Sequence, residues 1–125
     1  MKELIITLSV LNILFILLHE FDAFYRKEWH MFRFLRSLKV ETAYLVFFYA
    51  HIPFTLIAIY YLYSVFTFSN KGLWLIWNIT MVLHLIIHLI ARKWHSNVFH
   101  SIHSFVPIFG AGFTGAISLL LMESY

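Results

Sequence analysis

Four long runs of apolar residues dominate the chain, and short polar segments separate them. The runs cover about residues 4–24, 42–66, 72–91 and 104–122. Each run reaches or approaches the ~20 residues that a helix needs to cross the hydrocarbon core of a bilayer. Because short connections force consecutive helices to run antiparallel, the pattern predicts an all-α integral membrane four-helix bundle. Residues 1–125 are expected to form a single transmembrane domain.

The connection between the first two runs has a pattern of its own. Around residues 32–38, apolar side chains such as Phe34 and Leu35 gather on one side of a helix, and Arg33 and Arg36 gather on the other. Segregated apolar and basic faces are typical of a helix that lies in the plane of a membrane surface. We therefore expect a short interfacial amphipathic helix between spans 1 and 2.

The fourth run contains small residues at a spacing of four. Ala111 precedes Gly115, and Gly112 precedes Ala116. Such pairs let the backbones of two membrane helices approach closely. The fourth run is therefore expected to pack tightly against a neighbouring helix through these residues.

Composition agrees with a chain that is surrounded by lipid. Hydrophobic residues make up 62% of it and charged residues only 12%, which is more apolar surface than a soluble domain of this length can bury. The chain has no cysteine, which excludes disulfides and thiolate metal sites. The net charge of +3 is small and no base-reading motif is present, so the expected partner is membrane lipid and not nucleic acid.

The distribution of lysine and arginine predicts the orientation in the membrane. Connections one and three carry seven of these residues, and the segments on the opposite side carry only Lys2 and Lys71. By the positive-inside rule, connections one and three face the cytoplasm and both termini lie outside. The expected location is the inner membrane of a bacterium, and association into a homo-oligomer stays open.

Ionisable residues are concentrated towards the cytoplasmic side. His19, Asp22, Arg26 and His30 fall on one narrow helical face at about 100° per residue. All eight histidines lie between the predicted midplane and the cytoplasmic surface, and packing alone does not require such one-sidedness. Because ionisable groups in or near a bilayer are costly, a cluster of them is by default a functional site.

Spacing indicates a metal site among these residues. His84 and His88 are one helical turn apart, so two imidazoles share a face on which they can bind one ion. Imidazole and carboxylate ligands favour zinc or iron as the transition metal. Glu20 or Asp22 is the predicted catalytic base for a metal-bound water. The predicted metal ligands are His19, Asp22, His51, His84, His88, His100 and His103.

Motifs in the first half of the chain resemble those of a known family. Residues 19–22 (His-Glu-Phe-Asp), 28–29 (Glu-Trp) and 51–53 (His-Ile-Pro) are similar to a His-Glu-x-Asp element, a Glu-Trp pair and a His-x-Pro element. These elements occur in a family of small bacterial four-helix membrane proteins of unknown function. The resemblance implies the fold and no activity. Its motif positions are His19, Glu20, Asp22, Glu28 and His51.

A weaker similarity links the chain to the membrane fatty-acid hydroxylases and desaturases, whose histidine boxes bind two irons on the cytosolic side. His84-x-x-x-His88 and His100-x-x-His103 resemble single boxes. The adjacent His-His pairs that are usual in those enzymes are absent from this sequence. The similarity is therefore an analogy of ligand spacing and not membership.

Three functions follow from these patterns. The favoured one is a metal-dependent enzyme, a hydrolase or an oxygenase, that acts on a lipid-like substrate from the cytoplasmic leaflet. The second is a haem-b electron carrier, with His51 and either His84 or His88 as axial ligands. The third is a non-enzymatic role, as a metal or proton pathway or as a small partner subunit, in which acids and histidines form a relay.

Overall fold

Four long helices make up most of the structure, a computed structural model that describes residues 1–122. It contains no strand among these residues. Residues 123–125 of the predicted single domain lie outside the described part of the chain. The elements are α1 (Lys2–Arg26), a 3₁₀ helix (Glu28–Met31), α2 (Arg33–Arg36), α3 (Val40–Thr67), α4 (Lys71–Ala91) and α5 (Ile102–Met122).

The long helices α1, α3, α4 and α5 coincide with the four apolar runs, which confirms the predicted all-helical fold with four long helices. Each is long and apolar enough to cross a membrane. The segment that was expected to form an amphipathic helix contains only the single turn of α2. In that turn Leu35 is buried, whereas Phe34 and Arg36 are exposed.

α1 and α4 lie across the bundle from each other. α5 packs along both of them, and α3 contacts both more sparsely from the other side. In the described helices, no Cα atom of α1 lies within 8 Å of a Cα atom of α4. These two helices therefore meet only through side chains that reach the centre of the bundle.

Asn12 on α1 connects three helices in the half of the bundle near the N-terminus. Its side-chain nitrogen donates to the carbonyl oxygen of Ala111 (2.7 Å) and to the hydroxyl of Thr114 (2.9 Å). Its side-chain oxygen accepts a hydrogen bond from Trp77 Nε1 (2.8 Å). Because Asn12 is fully buried, these bonds offset the cost of removing its amide from water. The single amide thus ties α1 to both α4 and α5.

The close approach of α4 and α5 depends on glycines of α5. A β-carbon added to Gly112 would lie 2.5 Å from the β-carbon of Leu85, and one added to Gly115 would lie 3.1 Å from the backbone oxygen of Asn78. Both distances are shorter than ordinary van der Waals contact. The small residues of the fourth run therefore have the packing role that their spacing predicts.

We expect Gly112→Ala to lower the thermal stability of the bundle. The new methyl group meets the β-carbon of Leu85, which cannot move without its helix, and overpacking of this kind costs about 1–3 kcal/mol. The gain in helix propensity is at most about 1 kcal/mol. Thermal unfolding in detergent measures the difference. Gly72→Ala is the control, because Gly72 is exposed and its nearest new neighbour would be Asn70 Oδ1 at 3.4 Å; an equal loss of stability in both variants would contradict the packing argument.

Candidate metal centre

Three histidines meet at the centre of the bundle. His19 reaches from α1 towards α4, and its ring centroid lies 4.8 Å from that of His84 and 4.9 Å from that of His88. The rings of His84 and His88 are 4.5 Å apart. One ring nitrogen of each residue lies within 4.8 Å of the others. The structure thus brings these three predicted ligands together.

Glu28 approaches the three histidines from beyond the end of α1. Lys27 has a left-handed backbone conformation (φ 58°), which ends α1 and turns the chain into the 3₁₀ helix. Glu28 is only 8% exposed, and its oxygens lie 3.6 Å from His88 Nε2 and 3.9 Å from His19 Nε2. It is not among the ligands that the sequence predicts. Its one signal is the Glu-Trp pair of the family resemblance.

Polar atoms at the centre of this cluster have no hydrogen-bond partner. Both ring nitrogens of His19 and Nε2 of His84 are buried and unpaired among the described residues. The buried amide of Asn12, two helical turns before His19, has a partner for both of its polar atoms. An unpaired buried polar group costs about 1–3 kcal/mol. A metal ion bound by the imidazole lone pairs would remove most of that cost.

The ligand atoms lie somewhat further apart than they would around a bound tetrahedral metal ion. Two ligand atoms that bind one zinc ion at about 2.0–2.1 Å lie about 3.4 Å apart. The distance from Glu28 to His88 is close to this value, and the three imidazoles would draw together as they bind. Zinc and iron both accept three imidazoles and a carboxylate. Glu28 would close the site if it bound the ion as a fourth ligand, and a water molecule in its place would leave a reactive position.

Burial controls the protonation of Glu28. Loss of hydration, together with the charges of Glu20 and Asp22, raises the pKa of Glu28 to about 8, while His51 acts in the opposite direction. In the absence of a metal ion, Glu28 is therefore largely protonated at neutral pH. A cation at the three histidines would favour the carboxylate, because an opposite charge at short range lowers the pKa of an acid.

Glu20 and His51 form a second polar pair between α1 and α3. Glu20 Oε2 lies 2.6 Å from His51 Nε2, and His51 Nδ1 donates to the carbonyl oxygen of Phe47 at 2.6 Å. The short distance between the two side chains makes an ion pair when the imidazole is protonated. The structure places this pair beside the three histidines and not among them.

Asp22, which the sequence predicts as ligand and base, contacts other residues. It accepts a hydrogen bond from Arg26 Nε (3.2 Å), and Arg26 Nη2 donates to the hydroxyl of Ser101 (3.1 Å). Ser101 also accepts from the backbone N–H of Ser104 in the first turn of α5. Asp22 therefore helps to fix the end of α1 to the start of α5.

His100 and His103 do not join the three histidines. Both side chains are exposed at the start of α5, because the neighbouring Ser104 and Pro107 are the residues that face the bundle. The one-turn spacing of His100 and His103 predicted a shared ligand face, but in the structure that face is on the outer side of the turn. The expected convergence of either residue with His19 does not occur in the structure.

Comparison with known proteins assigns the chain to a family. It belongs to a family of unknown function, DUF6713, whose family model matches residues 5–125. This agrees with the resemblance of its motifs to a family of unknown function with four helices. No curated protein and no solved structure matches the chain. The function therefore has to be inferred from the site.

In protein freed of metal by a chelator, we expect Glu28→Gln to raise thermal stability relative to the wild type, and increasingly so as the pH rises from about 5 to about 8. The folded protein holds the Glu28 proton up to a pKa of about 8, whereas an unperturbed glutamate loses it near 4.5. The stability that this proton contributes is therefore complete below pH 4.5. It is lost as the pH rises through the pKa of Glu28 in the folded protein. Glutamine keeps the shape without titrating.

Thermal unfolding of both proteins across this pH range measures the effect. Glu3→Gln, at an exposed position of α1, is the control and should leave the pH profile unchanged. A difference between Glu28→Gln and the wild type that shrinks as the pH rises would show that Glu28 is ionised in the folded protein.

Proposed function

We propose that this member of DUF6713 is an integral membrane metalloenzyme. It would hold one transition-metal ion, zinc or iron, at His19, His84 and His88, and act on a lipid-like substrate at the cytoplasmic leaflet. The observation that carries the proposal is the convergence of three imidazoles at the centre of the bundle, two of which, His19 and His84, have unpaired buried nitrogens. Imidazole is the commonest metal ligand in proteins.

The position of Glu28 supports a catalytic role for the site. It lies on the 3₁₀ helix and not on a long helix, and its carboxylate approaches His88 and His19 from the end of the bundle. A water molecule bound in its place would become a nucleophile near neutral pH. Glu28 would then lie within reach of that water as its general base. Glu20 remains a candidate for proton transfer through its pair with His51.

Apolar cavities beside His51 favour a lipid-like substrate. The larger, of about 340 Å³, lies between α1 and α3 and has Glu20 and His51 in an otherwise largely apolar wall. Its volume is within the range of small-molecule sites. Glu20 directly follows His19 on α1, so the cavity lies along the helix that carries one of the proposed metal ligands.

The membrane location is part of the proposal. All four long helices have the length and apolarity of membrane spans, and α3 exposes large apolar side chains along most of its length, among them Leu56, Ile59 and Phe66. Lipid solvates such a surface at no cost, whereas water does not. The basic residues of connections one and three favour an orientation in the bacterial inner membrane with these connections in the cytoplasm.

The two alternative functions have less support. His84 and His88 face His19, and His51 is bound to Glu20, so the residues proposed as haem ligands make other contacts. A proton relay is favoured by the nearness of imidazole and carboxyl groups. However, the buried polar residues of α1 on the N-terminal side of His19 are Ser9 and Asn12, which do not ionise.

We expect wild-type protein from metal-replete cells to carry close to one equivalent of a transition metal. A variant with both His84→Ala and His88→Ala should carry less than about a tenth, because a single imidazole with one carboxylate cannot retain the ion through purification. Elemental analysis of the purified protein measures both. The matched control combines His100→Ala with His103→Ala, and it should keep its metal because both side chains are exposed.

Two outcomes would contradict the metal centre. A wild-type protein with less than about a tenth of an equivalent would remove the metal altogether and favour the relay. Equal loss of metal from both double variants would show that the ion does not depend specifically on the buried site.

For the topology, we expect cysteines introduced at Ser37 and Ser69 to react with an impermeant thiol reagent from opposite sides of the membrane, with Ser37 accessible from the cytoplasm. Both positions are exposed and lie at opposite ends of α3, and the native chain has no cysteine to interfere. Labelling of intact cells and of inverted vesicles distinguishes the sides. Reaction of both cysteines from one side would refute the proposed topology.

A further inference from the structure

A small cavity with polar walls lies between the end of α4 and the start of α5. Its volume is about 180 Å³. A guanidinium group, an imidazole and a hydroxyl line it together with three apolar side chains, and we call it the Arg92 cavity. The lining residues are Arg92, Phe99, His100, Ser101, Ile102 and Phe105.

The guanidinium group of Arg92 has no anionic partner in the part of the chain that the structure describes. Its Cζ atom lies 5.5 Å from the centre of the Phe105 ring, and the side chain makes no hydrogen bond and no ion pair there. The sequence between residues 42 and 122 contains no aspartate or glutamate. A positive charge and five N–H donors are therefore left for a ligand.

The acid connected to this cavity already has a partner. Asp22 is bound by Arg26 Nε (3.2 Å), and Arg26 Nη2 donates to the Ser101 hydroxyl (3.1 Å). These two charges balance each other, so the charge of Arg92 stays unbalanced. The ring of His100 carries at least one N–H in either protonation state. Such donors fit an anion with several oxygen acceptors, of which phosphate is the usual example.

An apolar groove continues from the Arg92 cavity along α5. Its volume is about 400 Å³, all of its lining residues are apolar, and it shares Ile102 and Phe105 with the cavity. A β-carbon added to Gly110 would lie 2.6 Å from the Phe15 ring, so this glycine lets Phe15 of α1 lie against α5. We call this space the α5 groove. From Ile102 to Gly110 it is about 12 Å long at 1.5 Å per residue, which is within the ~15 Å hydrocarbon of one leaflet.

We propose that the Arg92 cavity and the α5 groove together bind an anionic phospholipid, with its phosphate at Arg92 and one acyl chain along α5. The proposal rests on the membrane location in the proposed function and on no part of the metal chemistry. A zwitterionic phospholipid carries its own cation beside the phosphate, and that cation would meet Arg92 and Lys93. A free phosphate has no apolar part to bury in the groove. Both are therefore weaker ligands for this site.

The test is photo-crosslinking of the full chain in detergent micelles with a phosphatidylglycerol that carries a diazirine on one acyl chain. We expect saturable labelling of α5 near Val106 and Phe109. Unlabelled phosphatidylglycerol should compete at least about tenfold better than phosphatidylcholine, the factor expected from one hydrogen bond between charged groups. Inorganic phosphate at the same concentration should not compete.

Two arginine variants test the polar end. Arg92→Gln should weaken the binding of phosphatidylglycerol by about tenfold, because it removes the charge that faces the phosphate. Arg33→Gln removes the same charge from an exposed position of the first connection and should leave the binding unchanged. Equal weakening by both variants would show a response to general positive charge and would overturn the proposal.

Two tryptophan variants test the apolar part. Val106→Trp places a large ring in the α5 groove and should remove the labelling. Leu120→Trp adds the same ring to an exposed position of the same helix that lines neither space, and it should keep the labelling. Equal labelling of the two variants, or competition by phosphatidylcholine or inorganic phosphate as strong as by phosphatidylglycerol, would overturn the proposal.

Cell fractionation and metal analysis separate this proposal from the proposed function. Protein that stays in solution without detergent would refute the membrane location and the lipid site with it. Detergent-extracted, metal-loaded protein that shows no selective labelling would refute the lipid site alone. Wild-type protein that carries no metal and still binds phosphatidylglycerol selectively would refute the metal centre and support the lipid site.

Discussion

The hydrogen bond from Trp77 to Asn12 fixes the register between α1 and α4, and the candidate site depends on that register. These two helices run in the same direction and do not touch through their backbones, so the buried indole and amide supply a specific contact between them. Seven residues further along each helix come His19 and His84. A step of seven returns to nearly the same face of a helix. The two rings therefore meet at the bundle centre one level below the amide.

The bundle solves the problem of buried polar groups in two different ways. At the level of Asn12, amide, hydroxyl and indole groups satisfy one another, and the same amide also binds α5 through Ala111 and Thr114. At the level of His19, the polar groups are titratable and several of their atoms are unpaired. The first arrangement holds the helices in place. The second leaves unpaired atoms that can bind a ligand. The hydrogen bonds of Asn12 hold the helices in place, so these atoms stay available.

The sequence predicts the four long helices well because their signal is local. Apolar runs and the charges that bound them do not depend on how the helices pack. The shared face of His84 and His88 is equally local, since one turn of α4 determines it. Glu28 could not be assigned to the site in this way, because its position depends on the left-handed backbone of Lys27. A lysine in the sequence does not predict a left-handed backbone, because that conformation favours glycine.

His100 and His103 were assigned to the site from the sequence, but the structure does not place them there. Their spacing is compatible with the site, but the rotation of α5 decides which way they point. That rotation follows from the contact of Gly112 with Leu85 and from the burial of Ser104, which are tertiary features. Asp22 differs again, because its pairing with Arg26 is local whereas the bond from Arg26 to Ser101 is not.

The placement of Glu28 beyond the end of α1 has a consequence for biogenesis. The chain emerges from the ribosome N-terminus first, so α1 is made long before α4. Glu20 finds its partner His51 on the next long helix, but Glu28 has to wait for His88 on the one after that. If the long helices cross a membrane as we propose, such a carboxylate on α1 would spend this interval in lipid without a counterpart. In that arrangement Glu28 on the 3₁₀ segment could stay hydrated at the bilayer surface and become buried only after α4 has brought His88 into place.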